Sequence, residues 1–255
     1  MLPVSGVMLH VREATGADEL IVLEPAGTPV ATVLTLASCL ATDSAGEVPA
    51  WDGLPAADVG AIALTIRQAW LGNMIRTDGF CIGPDCGERM DIAFAIPAYL
   101  AYHRPRRYRG VSPARDAGWF TLAAAPVSFR LPTIGDMKAA ATAPDPELFL
   151  RERCVRPATV PAAVARRVSR AMSALAPSLA GAITANCPAC GCSRLLQFDP
   201  VTYSLAELRD AASGLYEEVH LLASVFCWAE RDILALPRRR RARYAELIHG
   251  QQVAA

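Results

Sequence analysis

Cysteine spacing constrains this chain more than any other feature. Of eight cysteines, five gather in two short segments far apart in sequence: Cys81 with Cys86, then Cys187 with Cys190 and Cys192. Aligning Cys86 on Cys190 places Gly87 on Gly191. It also sets Ile92 on Leu196 and Phe94 on Phe198, within the series Met90, Ile92, Phe94 and Pro97 of the first copy and Leu195, Leu196, Phe198 and Pro200 of the second. In both copies a Phe follows the second cysteine at the same offset. Each copy reads as a cysteine pair with a trailing Gly that turns tightly into a short apolar strand, the form of a rubredoxin-like zinc knuckle. Two knuckles supply four thiolates, so Cys81, Cys86, Cys187 and Cys190 are expected to surround one structural Zn2+. Four thiolates fill a tetrahedral shell and leave no position for water or substrate, which disfavours hydrolysis. The first pair is spaced more widely than usual, and Cys192 offers a competing ligand. Packed thiols, a redox pair and an iron–sulfur cluster are the alternatives.

With 255 residues and 53% hydrophobic content, the chain can bury a sizeable core as one large domain or two intimate ones. Lys plus Arg and Asp plus Glu balance at 25 each, so overall charge points to no polyanionic partner and nucleic acid is not the expected one. No basic leader precedes an apolar stretch, and no apolar run approaches the ~18 residues that span a bilayer. The expectation is a soluble, cytosolic protein with no membrane partner. Eight cysteines in a reducing compartment read as metal ligation and not as a disulfide framework. Cys39, Cys154 and Cys227 read as packed thiols.

The expected fold class is α+β, mainly helical, with the two knuckles, small β elements and a helical C-terminal region. Residues 1–45, with apolar segments Glu19–Glu24 and Pro29–Leu40, read as an adaptor-like lobe. Residues 46–255 read as a zinc-knuckle domain with C-terminal helices over about 201–250. Thr42 to Asp58 looks like a linker, and Ala57 to Gly72 a helix with Ile62, Ile66 and Ala69 or Trp70 inward. Tyr102 to Gly118, rich in Arg, Pro and Gly, reads as an exposed loop. Pro126–Pro132 alternates like a strand. Thr133–Asp136 resembles a capping box, Asp145-Pro146 a second helix start and Pro161 a third. Leu205, Leu208, Ala212, Leu215, Val219, Leu222 and Phe226 recur at spacings of three and four, giving one buried helical face. A turn near Cys227 follows, then a short helix through Ile233 and Leu236. A last helix with Tyr244, Leu247 and Ile248 is expected to close at Gly250.

Other constellations carry less chemistry. Arg238–Arg241 with Arg243 can meet phosphate in a loose helix-turn-helix setting, but reads first as a solvated helix face. Arg104–Arg109, interleaved with Tyr102 and Tyr108, can stack on a single strand, yet reads as a protein-contact loop. His10, His103, His220 and His249 are scattered. No phosphate loop, nucleophile elbow or paired-carboxylate motif occurs, so neither an enzyme nor a small-molecule substrate is expected.

Taken in order, these pieces resemble the baseplate hub assembly chaperones of T-even-type contractile phage tails and of phage-like contractile injection systems. The resemblance covers roughly residues 50 to 250. It is carried by Leu54-Pro55 and the helix to Gly72, the first knuckle, Asp91–Ile96, Phe129–Thr133, Arg153–Val155 and Cys187–Gly191. It continues through Phe198-Asp199, Glu218–Ala223, Trp228–Glu230, Ile233–Leu236 and Arg240–Tyr244. The first knuckle is wider than the family's, and Ala229 stands where a small hydroxyl residue is expected. The resemblance implies a non-enzymatic assembly factor or minor baseplate component that binds phage tail or baseplate hub proteins. It would reside in the cytoplasm of a bacterial host, or be retained in the assembled tail. Two rival classes stand beside it: a zinc-ribbon nucleic-acid-binding regulator using Arg238–Arg243, and a redox protein using Cys190 and Cys192.

Overall fold

The computed structural model describes residues 1–253, with side chains to Gly250. In chain order the elements are β1 (His10–Val11), α1 (Gly16–Leu23), α2 (Pro29–Leu40), β2 (Ala41–Thr42), α3 (Val59–Leu71), β3 (Met74–Phe80), β4 (Arg89–Ala95) and α4 (Ile96–Tyr102). Then come β5 (Val111–Pro113), β6 (Trp119–Leu122), β7 (Ser128–Arg130), α5 (Ile134–Ala140), α6 (Pro146–Cys154), β8 (Val155–Arg156) and α7 (Ala162–Leu175). The remainder are β9 (Gly181–Asn186), β10 (Ser193–Phe198), α8 (Pro200–Ala212), α9 (Leu215–Phe226), α10 (Glu230–Leu234) and α11 (Arg238–Val253). The class is α+β with small sheets, as expected.

The chain forms two compact units that interleave in sequence. One gathers Met1–Met8, Pro49–Ala61 and Ile75–Asp199; the other gathers Leu9–Val48, Ile62–Met74 and the chain from Pro200 onward. The segment 1–45 is thus shared, its first eight residues going to the first unit and the rest to the second.

In the first unit, β5 to β8 make a four-stranded antiparallel sheet in the order β5-β6-β7-β8, with Phe120 opposite Phe129 and Phe129 opposite Val155. Alternation along β7 buries Phe129 completely, and Leu122, Val127, Val155, Val168 and Ala171 close around it. The residues after β7 start α5 as the sequence suggests. Thr133 Oγ1 accepts from the Asp136 amide at 3.1 Å, and the Asp136 carboxylate accepts from the Thr133 amide at 2.9 Å. Helix α6 starts likewise on Asp145, whose carboxylate accepts from the Leu148 amide. Strand β5 lies inside the stretch expected to be only loop.

Asp136 has a second task. It is 2% exposed and accepts from Arg130 at 2.5 Å and from Arg153 at 2.8 Å. Burial alone would raise its pKa, but the Arg130 guanidinium, the Thr133 amide and Arg153 outweigh it and hold the carboxyl far below its ordinary 3.8. A depressed carboxyl stabilises the fold above its unfolded pKa and loses that contribution as pH falls toward its folded value. Acid titration of the melting temperature is therefore expected to show a loss beginning below about pH 4 that Asp136→Asn removes, at the cost of lower stability near neutrality. An identical acid limb in the two proteins would contradict this.

In the second unit, α1, α2 and α8 pack on one another, with Val22, Val33, Leu36, Ala37, Leu40, Leu205 and Leu208 buried. Both apolar segments of the first 45 residues are helices. Thr28 caps α2, accepting from the Ala31 amide, with Pro29 at its first position. The stripe read from Leu205 to Phe226 belongs to two helices, because Ser213 and Gly214 interrupt it. Leu222, Ile233 and Ile248 join α9, α10 and α11 in a small core. Helix α9 ends on Cys227 in the left-handed conformation (φ 55°), and α11 continues past Gly250, where closure was expected.

The run Arg238–Arg241 is not a uniformly solvated face. Arg239 and Arg240 are exposed, but Arg241 is 1% exposed, its guanidinium donating to Glu19 and, at 2.5 Å, to Glu218. Arg238 Nε lies 3.6 Å from Glu19. Gly16 makes the room: a Cβ there would stand 2.8 Å from Arg241 Nη1. Burial pushes the Glu19 carboxyl up in spite of both arginines.

Candidate metal centre

Both cysteine segments sit at the tips of antiparallel hairpins of the first unit, β3–β4 and β9–β10. In the first, the Cys81 amide donates to Glu88 O at 2.8 Å, closing the loop; in the second, the Cys187 amide donates to Cys192 O at 2.9 Å. The two extra residues of the first pair are absorbed inside this loop, where Asp85 takes the left-handed conformation (φ 57°). Gly87 and Gly191 take it too, at φ 61° and 72°, so the trailing glycines turn the chain back into its strand. Backbone amides point at sulfur in both turns. Gly83 N–H donates to Cys81 Sγ at 3.3 Å, the Glu88 amide bonds the Cys86 sulfur, and those of Cys190 and Ala189 bond the Cys187 sulfur.

All four expected ligands converge. The sulfurs of Cys81, Cys86, Cys187 and Cys190 lie within 4.8 Å of one another, with Cys81 to Cys190 at 3.5 Å and Cys86 to Cys187 at 3.8 Å. Four thiolates about 2.3 Å from one ion stand about 3.8 Å apart at the corners of a tetrahedron. The arrangement therefore fits a single metal ion, and is too tight for thiols spread around several irons. No disulfide links any of the eight cysteines. The short contacts pair the first cysteine of each turn with the second of the other, as a two-fold relation between the hairpins requires.

The symmetry extends beyond sulfur. Phe94 and Phe198, which occupy matching positions of the two copies, meet edge to face with ring centroids 5.3 Å apart. Tyr99 packs against both and donates its hydroxyl to Leu179 O. Burial pushes the Tyr99 hydroxyl up to about 12. Cys81, Met90 and Cys187 form a small buried cluster, with Cys86, Ala185 and Cys192 packed against it.

The electrostatics are compatible with a bound cation. Amides of Cys190 and Ala189 draw the Cys187 thiol down to about 7. At Cys81 the Gly83 amide also pulls downward, but burial and the other three sulfurs outweigh it and push that thiol up to about 12. Four thiolates this close repel, and a divalent ion is the ordinary compensation. Cys81 and Cys187 are buried, Cys86 is half-buried and Cys190 is exposed, so protein closes the inner side of the site.

Cys192 lies beside the cluster but outside it, its thiol donating to Ser193 O at 3.8 Å. Cys192→Ser is expected to keep one metal ion per chain at unchanged affinity, measured by elemental analysis and competition with a chromophoric chelator. Loss of the ion would make Cys192 a ligand. Among the described residues, no other group of three or more His, Cys, Asp or Glu side chains is close enough to share an ion. The four histidines are not brought together: His103 and His249 bond carbonyls of their own helical turns. No described helix is long and apolar enough to cross a membrane.

Comparison with known protein families, curated proteins and solved structures yields no match for the chain.

Proposed function

We propose that this chain is a non-enzymatic assembly factor or minor structural component of a contractile tail baseplate, holding one structural zinc and acting by binding tail or baseplate hub proteins. The observation that carries the reading is the convergence of four cysteine sulfurs from two hairpins of one unit. Four thiolates so placed would suit zinc as a fold-holding ion and would leave no coordination position for catalysis. The rubredoxin-like form of the knuckles is part of the proposal, supported by the left-handed glycines and the amide-to-sulfur hydrogen bonds. A contact surface is available on the second unit. Phe226, Trp228 and Tyr244 pack together with Phe226 and Trp228 partly exposed, and Arg240 lies 5.8 Å from the Tyr244 ring. Exposed aromatic groups of this kind are characteristic anchors of protein interfaces.

The test is deletion of the gene in a host that makes contractile particles, followed by complementation. Particles lacking baseplates, restored by the natural chain but not by Cys187→Ser/Cys190→Ser, are expected. Complete, active particles in the deletion strain would overturn the proposal. The alternative of a DNA-binding regulator built on Arg238–Arg243 loses support, since Arg241 is buried in carboxylate contacts and Arg243 pairs with Glu246 at 3.1 Å.

A further inference from the structure

We propose that the first unit carries a binding face for single-stranded nucleic acid, formed by the Arg104–Arg109 loop and the outer stripe of α7. The proposal is independent of the baseplate reading. Although the whole chain is neutral, no Asp or Glu occurs in residues 92–115 or 153–198. Arg104, Arg106, Arg107 and Arg109 lie in the first stretch, and Arg166 and Arg170 in the second.

The fold lays these two stretches side by side. The Arg106 amide donates to Ala174 O in the last turn of α7 at 2.7 Å. Tyr108 joins Val164, Met172 and Leu175 around the core of the unit. Toward the other end of the helix, the Arg167 guanidinium donates to Ala123 O at 2.9 Å, and the Ala123 amide donates to Gly110 O at 2.6 Å. Residues 166, 170 and 174 share one stripe of α7 by their spacing of four. The arginines at 104, 106, 107, 109, 166 and 170 are all exposed, and none makes a side-chain hydrogen bond or ion pair among the described residues. Arg130, Arg153 and Arg156 of the same unit each pair with an aspartate.

Charge complementarity selects the occupant. Guanidiniums clustered without carboxylates raise a positive potential that a polyanion answers. The apolar residues of the loop and of α7 turn into the core, so the face lacks the apolar centre of a protein interface. What it offers beside charge is one ring, Tyr102, 72% exposed where the loop begins. The Tyr102 ring meets the His103 ring edge to face at 5.0 Å and is otherwise open to solvent. A cationic strip that follows a phosphate backbone, with an exposed ring for a base to stack on, is the equipment of single-strand binders.

The test uses the full metal-loaded chain and a fluorescein-labelled oligothymidylate of about 20 nucleotides, read by anisotropy from about 50 to 300 mM salt. Binding is expected to weaken linearly on logarithmic axes. In R104Q/R106Q/R107Q/R166Q/R170Q the slope should fall by about 0.7 per lost charge, with affinity at the lowest salt at least about tenfold lower. Tyr102→Ala should weaken binding and leave the slope unchanged. R239Q/R243Q, in the other unit, should alter neither. Metal content and melting curves establish that each variant is folded, and R104Q/R106Q and R166Q/R170Q read the same effect separately if the fivefold variant is not. Absence of salt-dependent binding, unchanged affinity in the folded variants, or preference for polyglutamate over oligothymidylate would overturn the proposal.

Discussion

Replacing Cys187 and Cys190 by Ser is expected to abolish metal binding and to lower the melting temperature of the protein by about 8–20 °C. An ion held by all four sulfurs would tie together two distant parts of the chain. Cys81 and Cys190 are 109 positions apart and Cys86 and Cys187 101, and closing loops of this length by a cross-link is worth about 4–5 kcal/mol in chain entropy. For a chain of this size each kcal/mol moves the midpoint by about 2–4 °C. Beyond the contact of Phe94, Tyr99 and Phe198, little in the second hairpin would replace a bound ion, because β9 and β10 pair only with each other and much of their surface is exposed. Calorimetry with elemental analysis checks the prediction. A variant that keeps one ion per chain, or loses it with an unchanged midpoint, would show that the thiols merely pack.

Arg241→Ala is expected to cost about 3–5 kcal/mol, the usual consequence of removing one partner from a buried ion pair. The loss comes from what is left behind. Glu19 is fully buried, its carboxyl is already pushed up by burial, and without Arg241 it keeps only the more distant Arg238. Glu218 loses its partner as well. Neutralising both sides should therefore recover stability: Glu19→Gln/Arg241→Met is expected to melt above Arg241→Ala, since an apolar or neutral replacement avoids the uncompensated charge. Urea unfolding of the three proteins measures the difference. A single variant within about 0.5 kcal/mol of the natural chain would mean that the cluster is dispensable.

These two sites differ in how visible they are in sequence. The cysteine cluster is legible because its information is local and repeated. Cysteines with a trailing glycine say what each turn does, and the second copy says that the turns have a common purpose. Helix starts at Thr133 and Asp145 are legible for the same reason, since a cap and its amide are three residues apart. The Glu19–Arg241 contact has no such signature. Nothing in a run of arginines marks the third for burial, and its partner lies 222 positions away. The break between α8 and α9 was hidden because the apolar stripe keeps its period across Ser213-Gly214, so that periodicity alone reports one helix. The positive face of the first unit needed topology as well. Its arginines belong to segments that read as a loop and as a helix start, and only the packing of residues 104–110 against α7 makes them one surface.

The separation of the two cysteine turns also sets a timetable for synthesis. A ribosome adds roughly 5–20 residues per second, so Cys81 and Cys86 emerge about 5–20 s before Cys187 and Cys190 exist to meet them. Throughout that interval the nascent first hairpin holds two thiols with half a coordination shell and no Phe198 against which Phe94 can pack. The second unit waits still longer, because its helices from Pro200 onward follow the second cysteine turn in the chain. Closure of the cysteine cluster therefore waits for the second turn, and the two thiols of the first hairpin stay unpartnered for about 100 residues of synthesis.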